Sequence, residues 1–185
     1  MVTRKEFVFK LAVIGSYATG KTSLINRYVD QTFKEDYKPT LGASIIAKEV
    51  QLASPDGEVE YLIRLVLWDI AGQEKYESVR SMYFQGCQGA ILVYDITRVP
   101  TFREIESKWL DDFRTHASPN ANFILIGNKT DLENLRNVST EEGRALAEKI
   151  KASAFVETSA KTGENVSFVF ERIVRDILRK QGHPA

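Results

Sequence analysis

The amino-acid sequence predicts an α/β fold with a largely parallel sheet. Short apolar runs alternate with segments of helical period along the chain. A glycine-bounded loop joins the first apolar run to the first helical segment, which is a strand–loop–helix unit. One tetrapeptide, Ser54-Pro55-Asp56-Gly57, sits between two strand-like runs and predicts a local antiparallel hairpin within that sheet.

The elements follow in order. Phe7 to Ile14 reads as the first strand. Gly15 to Thr22 reads as a loop, and Ser23 to Gln31 as a helix with Leu24, Ile25, Tyr28 and Val29 on one side. Thr32 to Gly42 has no clear period and contains Pro39, so it reads as a loop. Ile45 to Leu52 and Val59 to Asp69 are the hairpin strands; Ile63, Leu65 and Leu67 share one face of the second. Ile70 to Arg80 is irregular and polar. Ala90 to Tyr94, Phe123 to Ile126 and the brief Phe155-Val156 read as buried strands. Thr101 with Glu104, and Ser139 with Glu142, fit capping boxes and predict helix starts. Val166, Val169, Phe170, Ile173, Val174, Ile177 and Leu178 recur at helical spacing and predict a final helix with a broad apolar stripe.

The length of 185 residues suits one domain, read as 1–185 with a short tail after about 180. Lys+Arg and Asp+Glu are 25 each, so the net charge is zero. No bulk basic field points to nucleic acid or anionic lipid. Cys87 is the one cysteine, which excludes an intrachain disulfide and suits a reduced, cytoplasmic setting. It precedes an apolar run and reads as a small packing residue. The N-terminus has no signal-peptide pattern, residue 2 is Val where myristoylation requires Gly, and no apolar run reaches membrane-spanning length.

Gly15-Ser16-Tyr17-Ala18-Thr19-Gly20-Lys21-Thr22 matches the phosphate-loop pattern G-x-x-x-x-G-K-[ST] with a strand before it and a helix after it. Its glycines let backbone N–H groups converge on phosphate oxygens, and the helix N-terminus adds a positive dipole end. Tyr17, Ala18, Thr19 and Ser23 are the neighbouring phosphate-binding positions. Lys21 is expected to reach the β- and γ-phosphates, and the Thr22 hydroxyl to ligate Mg²⁺.

Asn128-Lys129-Thr130-Asp131 follows the strand that ends at Ile126. Guanine presents N1–H and a 2-amino group on one edge, and the Asp131 carboxylate can accept from both. Adenine offers no such pair and would leave that carboxylate unsatisfied, so the site discriminates between them. Asn128 can bridge the loop to the base, and the stem of Lys129 can cover a base face. In Ser159-Ala160-Lys161, past the last strand, the Ala160 N–H can donate to guanine O6. Both peptides lie at strand ends, where open α/β sheets bind ligands.

Asp69-Ile70-Ala71-Gly72-Gln73-Glu74 ends the second hairpin strand. Asp69 is placed to hold Mg²⁺ through water. Gly72 can offer an N–H to the γ-phosphate, and Gln73 can orient an attacking water. Thr40, after Tyr37-Lys38-Pro39, is the candidate second hydroxyl ligand of Mg²⁺, with Tyr37 beside it at the nucleotide. Irregular loops ordered by γ-phosphate and Mg²⁺, and released on hydrolysis, make a switch.

Assembled, these motifs resemble the Ras superfamily, nearest to its Rab and Ras branches, over about residues 7 to 180. Trp68 to Glu74, Tyr94-Asp95-Ile96-Thr97 and Glu157-Thr158-Ser159-Ala160-Lys161 have a Rab-like character. The resemblance implies a three-layer, Ras-like P-loop fold with a six-stranded, mostly parallel sheet, one antiparallel strand and about five helices. It implies a GTP/GDP switch with Mg²⁺, catalysis resting on Gln73 and Lys21, and a role in signalling or vesicle trafficking. It also implies that Phe33 packs on the guanine and that Ala160 and Lys161 line the base pocket. Effectors, an exchange factor and a GTPase-activating protein would read loops 33–46 and 70–83 of a monomer, with Trp68 and Tyr83 among the aromatic positions presented.

The chain departs from the family in three places. Ile45 stands where Rab proteins usually carry Phe, and Ala43-Ser44 where they usually carry Val-Asp. Tyr17 stands where related GTPases carry Gly or a small residue, and its ring would crowd Gln73, the attacking water and an incoming arginine finger. No arginine lies between Phe33 and Gly42, so that loop supplies no finger in cis. The tail Arg179-Lys180-Gln181-Gly182-His183-Pro184-Ala185 encodes no prenylation cysteine, so peripheral membrane association would need a lipidated tail beyond it. Three readings compete: a slow GTPase switch, a GTP-binding scaffold with negligible hydrolysis because of Tyr17, and a P-loop ATPase, which Asp131 and Ala160 oppose.

Overall fold

The computed structural model describes residues 2–36 and 38–185. Six strands, β1 Thr3–Ile14, β2 Ala43–Ala53, β3 Val59–Ile70, β4 Gly89–Asp95, β5 Asn122–Asn128 and β6 Phe155–Thr158, form one sheet in the order β2-β3-β1-β4-β5-β6. β2 is antiparallel to β3, as the turn at 54–57 predicts; the other pairings are parallel. Gly57 closes that turn at φ +72° with its N–H on the Ser54 carbonyl.

Helices α1 Lys21–Asp30 and α5 Val166–Lys180 cover one sheet face. Their stripes meet the inward side chains of β1 and β3: Leu24, Ile25, Tyr28, Phe170 and Ile173 join Phe9, Leu11, Ile63 and Leu65 in one buried cluster. α2 Glu77–Phe84, the helix α3 and α4 Thr140–Lys149 cover the other face. α3 runs without a break through Val99–Glu104, Ile105–Leu110 and Asp111–His116, its middle third being π-helical. Phe84, Ile105, Trp109, Phe113 and Ala147 pack there on Ala12, Ile14, Leu92 and Leu125. The three layers follow from apolar residues that alternate sides along the strands.

Two helix starts expected from capping boxes divide. Ser139 caps α4 as expected, accepting from the Glu142 N–H while Glu142 accepts from the Ser139 N–H. Thr101 caps nothing: α3 begins earlier, with Pro100 in its first turn, where a missing N–H costs nothing. Thr101 is buried and accepts from the Asp95 N–H (3.0 Å), and Glu104 turns toward the phosphate loop. The segment read as irregular over 70–80 carries a 3₁₀ turn, Glu74–Tyr76, and the start of α2. Among the described residues no helix is long and apolar enough to cross a membrane.

The sheet register positions the site. β4–β5 pairs Asp95 with Asn128, and β5–β6 pairs Asn128 with Thr158. The ends of three parallel strands therefore open side by side beside the loop that leaves β1.

Candidate functional site

The loop between β1 and α1 wraps a lysine. Lys21 Nζ donates to the carbonyls of Gly15 and Ser16, each at 2.8 Å, and is buried. Burial pulls its pKa from 10.5 down to about 8, with Asp69 opposing and Arg98 and Arg80 adding to the fall. A buried ammonium bonded to neutral carbonyls suits an anionic ligand. Gly20 turns the loop into α1 at φ +97°, and a Cβ there would lie 2.3 Å from Asn128 Nδ2. Ala18 takes φ +57°, a left-handed conformation uncommon for alanine. Thr19 is buried and its hydroxyl donates to the Ser16 carbonyl.

Beside the loop lies a set of hard oxygens. Thr22 Oγ1 is 2.9 Å from Thr40 Oγ1 and donates to Asp69 Oδ2 at 2.5 Å. Burial raises the Asp69 carboxyl, while Thr22, Lys21 and Thr40 work against that rise. Its other oxygen, Oδ1, is buried with no protein donor, as is Gln73 Oε1. Two hydroxyls and a half-satisfied carboxylate fit Mg²⁺, which takes few protein ligands and completes its shell with water and phosphate oxygens. Tyr17, Lys38, Gly72, Gln73 and Ser23 close this recess. Gly72 packs on the loop backbone itself: a Cβ would fall 2.4 Å from the Tyr17 nitrogen. Tyr17 is 54% exposed. Arg98 holds it, donating to its carbonyl at 2.8 Å with the guanidinium 5.5 Å from its ring.

A second recess of about 300 Å³ adjoins the first and is lined by Phe33, Asn128, Lys129, Asp131, Ala160 and Lys161 among others. Asn128 ties its parts together: Nδ2 donates to the Thr19 carbonyl, and Oδ1 accepts from Thr158 Oγ1 and the Ala160 N–H. Lys129 Nζ donates to the Ala18 carbonyl and pairs with Asp95, both at 2.8 Å. Burial would raise the Asp95 carboxyl, but hydrogen bonds from Lys129 and Thr97 outweigh it and hold it below the usual carboxylate range. Asp131 accepts from Ser159 Oγ at 2.7 Å, which aims one carboxylate oxygen. Lys161 pairs with Glu35 at 3.1 Å across the mouth.

The structure thus brings together Gly15, Tyr17, Ala18, Gly20, Lys21, Thr22, Ser23, Thr40, Asp69, Gly72 and Gln73 around one recess, and Phe33, Asn128, Lys129, Asp131, Ala160 and Lys161 around the other. Thr19 and Ser159 act behind them as supports. Tyr37 lies outside the described residues. Sequence reading missed Asp95 as the partner of Lys129, and Arg98, which bonds both Asp95 and Tyr17. It also missed Ser16, whose hydroxyl donates to Glu104 and accepts from Trp109 Nε1 at 3.4 Å. Except for Arg98 with Asp95, three residues apart, these pairs are far apart in the chain, and no short motif could announce them.

The family model described as the Ras family matches residues 10–179. Ras-related protein RABA5e of Arabidopsis thaliana is 41% identical over 174 residues, covering 94% of this chain and 76% of that protein. Ras-related protein Rab11E of Lotus japonicus is 41% identical with the same coverage, and RABA5d of Arabidopsis thaliana is 39% identical over 94% and 75%. Matched along nearly all its length by both comparisons, with its recesses at the strand ends where the phosphate and base motifs fall, the chain belongs to the Ras family.

Proposed function

We propose that residues 1–185 form one GTP-binding domain that switches between GTP- and GDP-bound forms and hydrolyses GTP slowly with Mg²⁺. The observation that carries the reading is the pair of adjoining recesses. Lys21 stands in one, Asp131 and the Ala160 N–H stand in the other, and Asn128 and Lys129 bond the two loops together. Asp131 would accept from guanine N1–H and the 2-amino group, and Ala160 would donate to O6; an adenine would meet each of these groups wrongly.

Thr22 and Thr40, with Asp69 through water, would hold Mg²⁺, which when bound would offset the negative charge of the phosphates. Lys21 supplies a fixed positive charge on the phosphate side. Gln73 Oε1, a buried acceptor without a protein donor, is suited to accept from an attacking water and orient it. Loops 33–46 and 70–83 carry Thr40, Gly72 and Gln73, so γ-phosphate contacts would order the surface that partners read. That surface includes exposed Leu41, Ile45 and Met82 and the Trp68–Tyr83 ring pair at 5.8 Å, suited to effectors, an exchange factor and a GTPase-activating protein of a trafficking pathway. The loaded domain would act as a cytoplasmic monomer, reaching a membrane surface where a lipidated tail carries it there.

Tyr17 favours a second reading, a GTP-dependent scaffold with negligible hydrolysis. Tyr17 lines the same recess as Gln73, and Arg98 holds its backbone carbonyl. Competition of GTP against ATP for a fluorescent guanine nucleotide tests the first claim, with equal competition refuting it. Single-turnover decay of loaded GTP separates the two readings. Tyr17→Gly is expected to hydrolyse faster, alone or with an arginine-finger activator, and an unchanged rate in both settings would remove Tyr17 from the argument.

A further inference from the structure

Arg27 lines neither recess, yet its side chain crosses from α1 to the base-reading loop. Its Nε donates to the Ala160 carbonyl at 2.8 Å and its Nη2 to the Lys161 carbonyl at 2.5 Å. These two atoms form one edge of the planar guanidinium fork, so the two bonds fix direction as well as distance. A third donor, Nη1, reaches the Gln31 carbonyl at 3.3 Å and anchors the fork to the end of its own helix.

Ala160 is gripped from two sides. Its N–H faces Asn128 Oδ1 at 3.3 Å, a long bond that a better acceptor can replace. Its carbonyl is held by Arg27, which orients the peptide joining Ala160 to Lys161. No cis peptide occurs among the described residues, so the Lys161 N–H points opposite to the carbonyl that Arg27 holds. A charge-assisted bond on a carbonyl also polarises its peptide and strengthens the N–H on the other side. At the mouth of the same loop the Lys161–Glu35 pair is exposed, and an exposed pair restrains little.

We infer that Arg27 is a positioning residue for base selection: by holding the Ala160 and Lys161 carbonyls it aims the loop's N–H donors at guanine O6. This rests on the guanine reading of the recess proposed above. The fork is matched to two carbonyls, and neither lysine nor glutamine reproduces it.

The test compares GDP with 6-thioguanosine diphosphate, which keeps the N1–H and 2-amino edge that Asp131 reads and replaces O6 by sulfur, a weak hydrogen-bond acceptor. Arg27→Gln is expected to weaken GDP about tenfold, the scale of losing a hydrogen bond aided by charge, and to leave the analogue within about twofold. Arg27→Lys, which keeps the charge and one donor, is expected to fall between, and it carries the comparison if the glutamine variant does not fold. Equal weakening of both nucleotides, or no weakening of either, overturns the inference. Wild-type protein that fails to prefer GDP over ADP would instead overturn the guanine reading itself.

Discussion

Raising the pH from 7 to 8.5 is expected to weaken the binding of guanosine diphosphate by about fourfold, or about 0.8 kcal/mol. The source is Lys21, whose ammonium is buried on two carbonyls and titrates near 8 in the surroundings the protein supplies. Phosphate oxygens beside Nζ favour the charged form and lift its pKa again, so binding draws a proton wherever the free protein has lost it. Affinity is therefore nearly flat up to about pH 7, is down about twofold at pH 8 and falls toward tenfold per pH unit well above it. The chosen window stays below the pH at which guanine N1 itself ionises. The sign for stability is opposite. The folded pKa lies below the unfolded 10.5, so protein free of nucleotide gains stability as pH rises from about 8 toward 10.5. Displacement of a fluorescent nucleotide at constant ionic strength and Mg²⁺ reads the affinity. Calorimetry in two buffers of different ionisation heat reads the proton, about half of one at pH 8. Lys21→Arg, which does not titrate in this range, should give a flat profile. A flat wild-type profile without proton uptake, or the same slope in the arginine variant, would exclude Lys21 as the source.

Two further outcomes concern the frame that holds the site. Gly20→Ala forces alanine to φ +97° and its Cβ to 2.3 Å from Asn128 Nδ2; a loss of about 1–3 kcal/mol is expected, read as a melting point lowered by several degrees together with weaker nucleotide binding. Phe170 stacks on Tyr28 with ring centroids 4.1 Å apart in the layer between α1 and α5. Phe170→Ala should lose about 3–5 kcal/mol, seen as a lower urea midpoint with an unchanged slope.

What could be read in advance was whatever a short stretch of chain carries whole. The phosphate loop is eight consecutive residues, and its chemistry needs little beyond a strand before it and a helix after it. The hairpin turn at 54–57, the Ser139 cap and the stripe of α5 are likewise local, and each formed as its pattern predicts. Thr101 shows the limit of local reading. Its spacing to Glu104 suits a cap, but Pro100 starts the helix earlier and tertiary partners claim both side chains. The α2 start within 70–80 was hidden because its eight residues bury only Arg80 and Phe84, too few to show a period.

Residue types alone pointed to the kind of chemistry proposed: a lysine among glycines suits phosphate, a carboxylate suits the guanine edge, and hydroxyls with one aspartate suit a hard cation. Tertiary structure alone decided which groups meet. Arg27 reaches Ala160 across 133 residues, Ser16 reaches Glu104 across 88, and Asn128 reaches Thr19 across 109. The reason is physical. Side-chain type is written residue by residue, whereas proximity between distant segments is set by strand order and register, which come from burying two sheet faces at once.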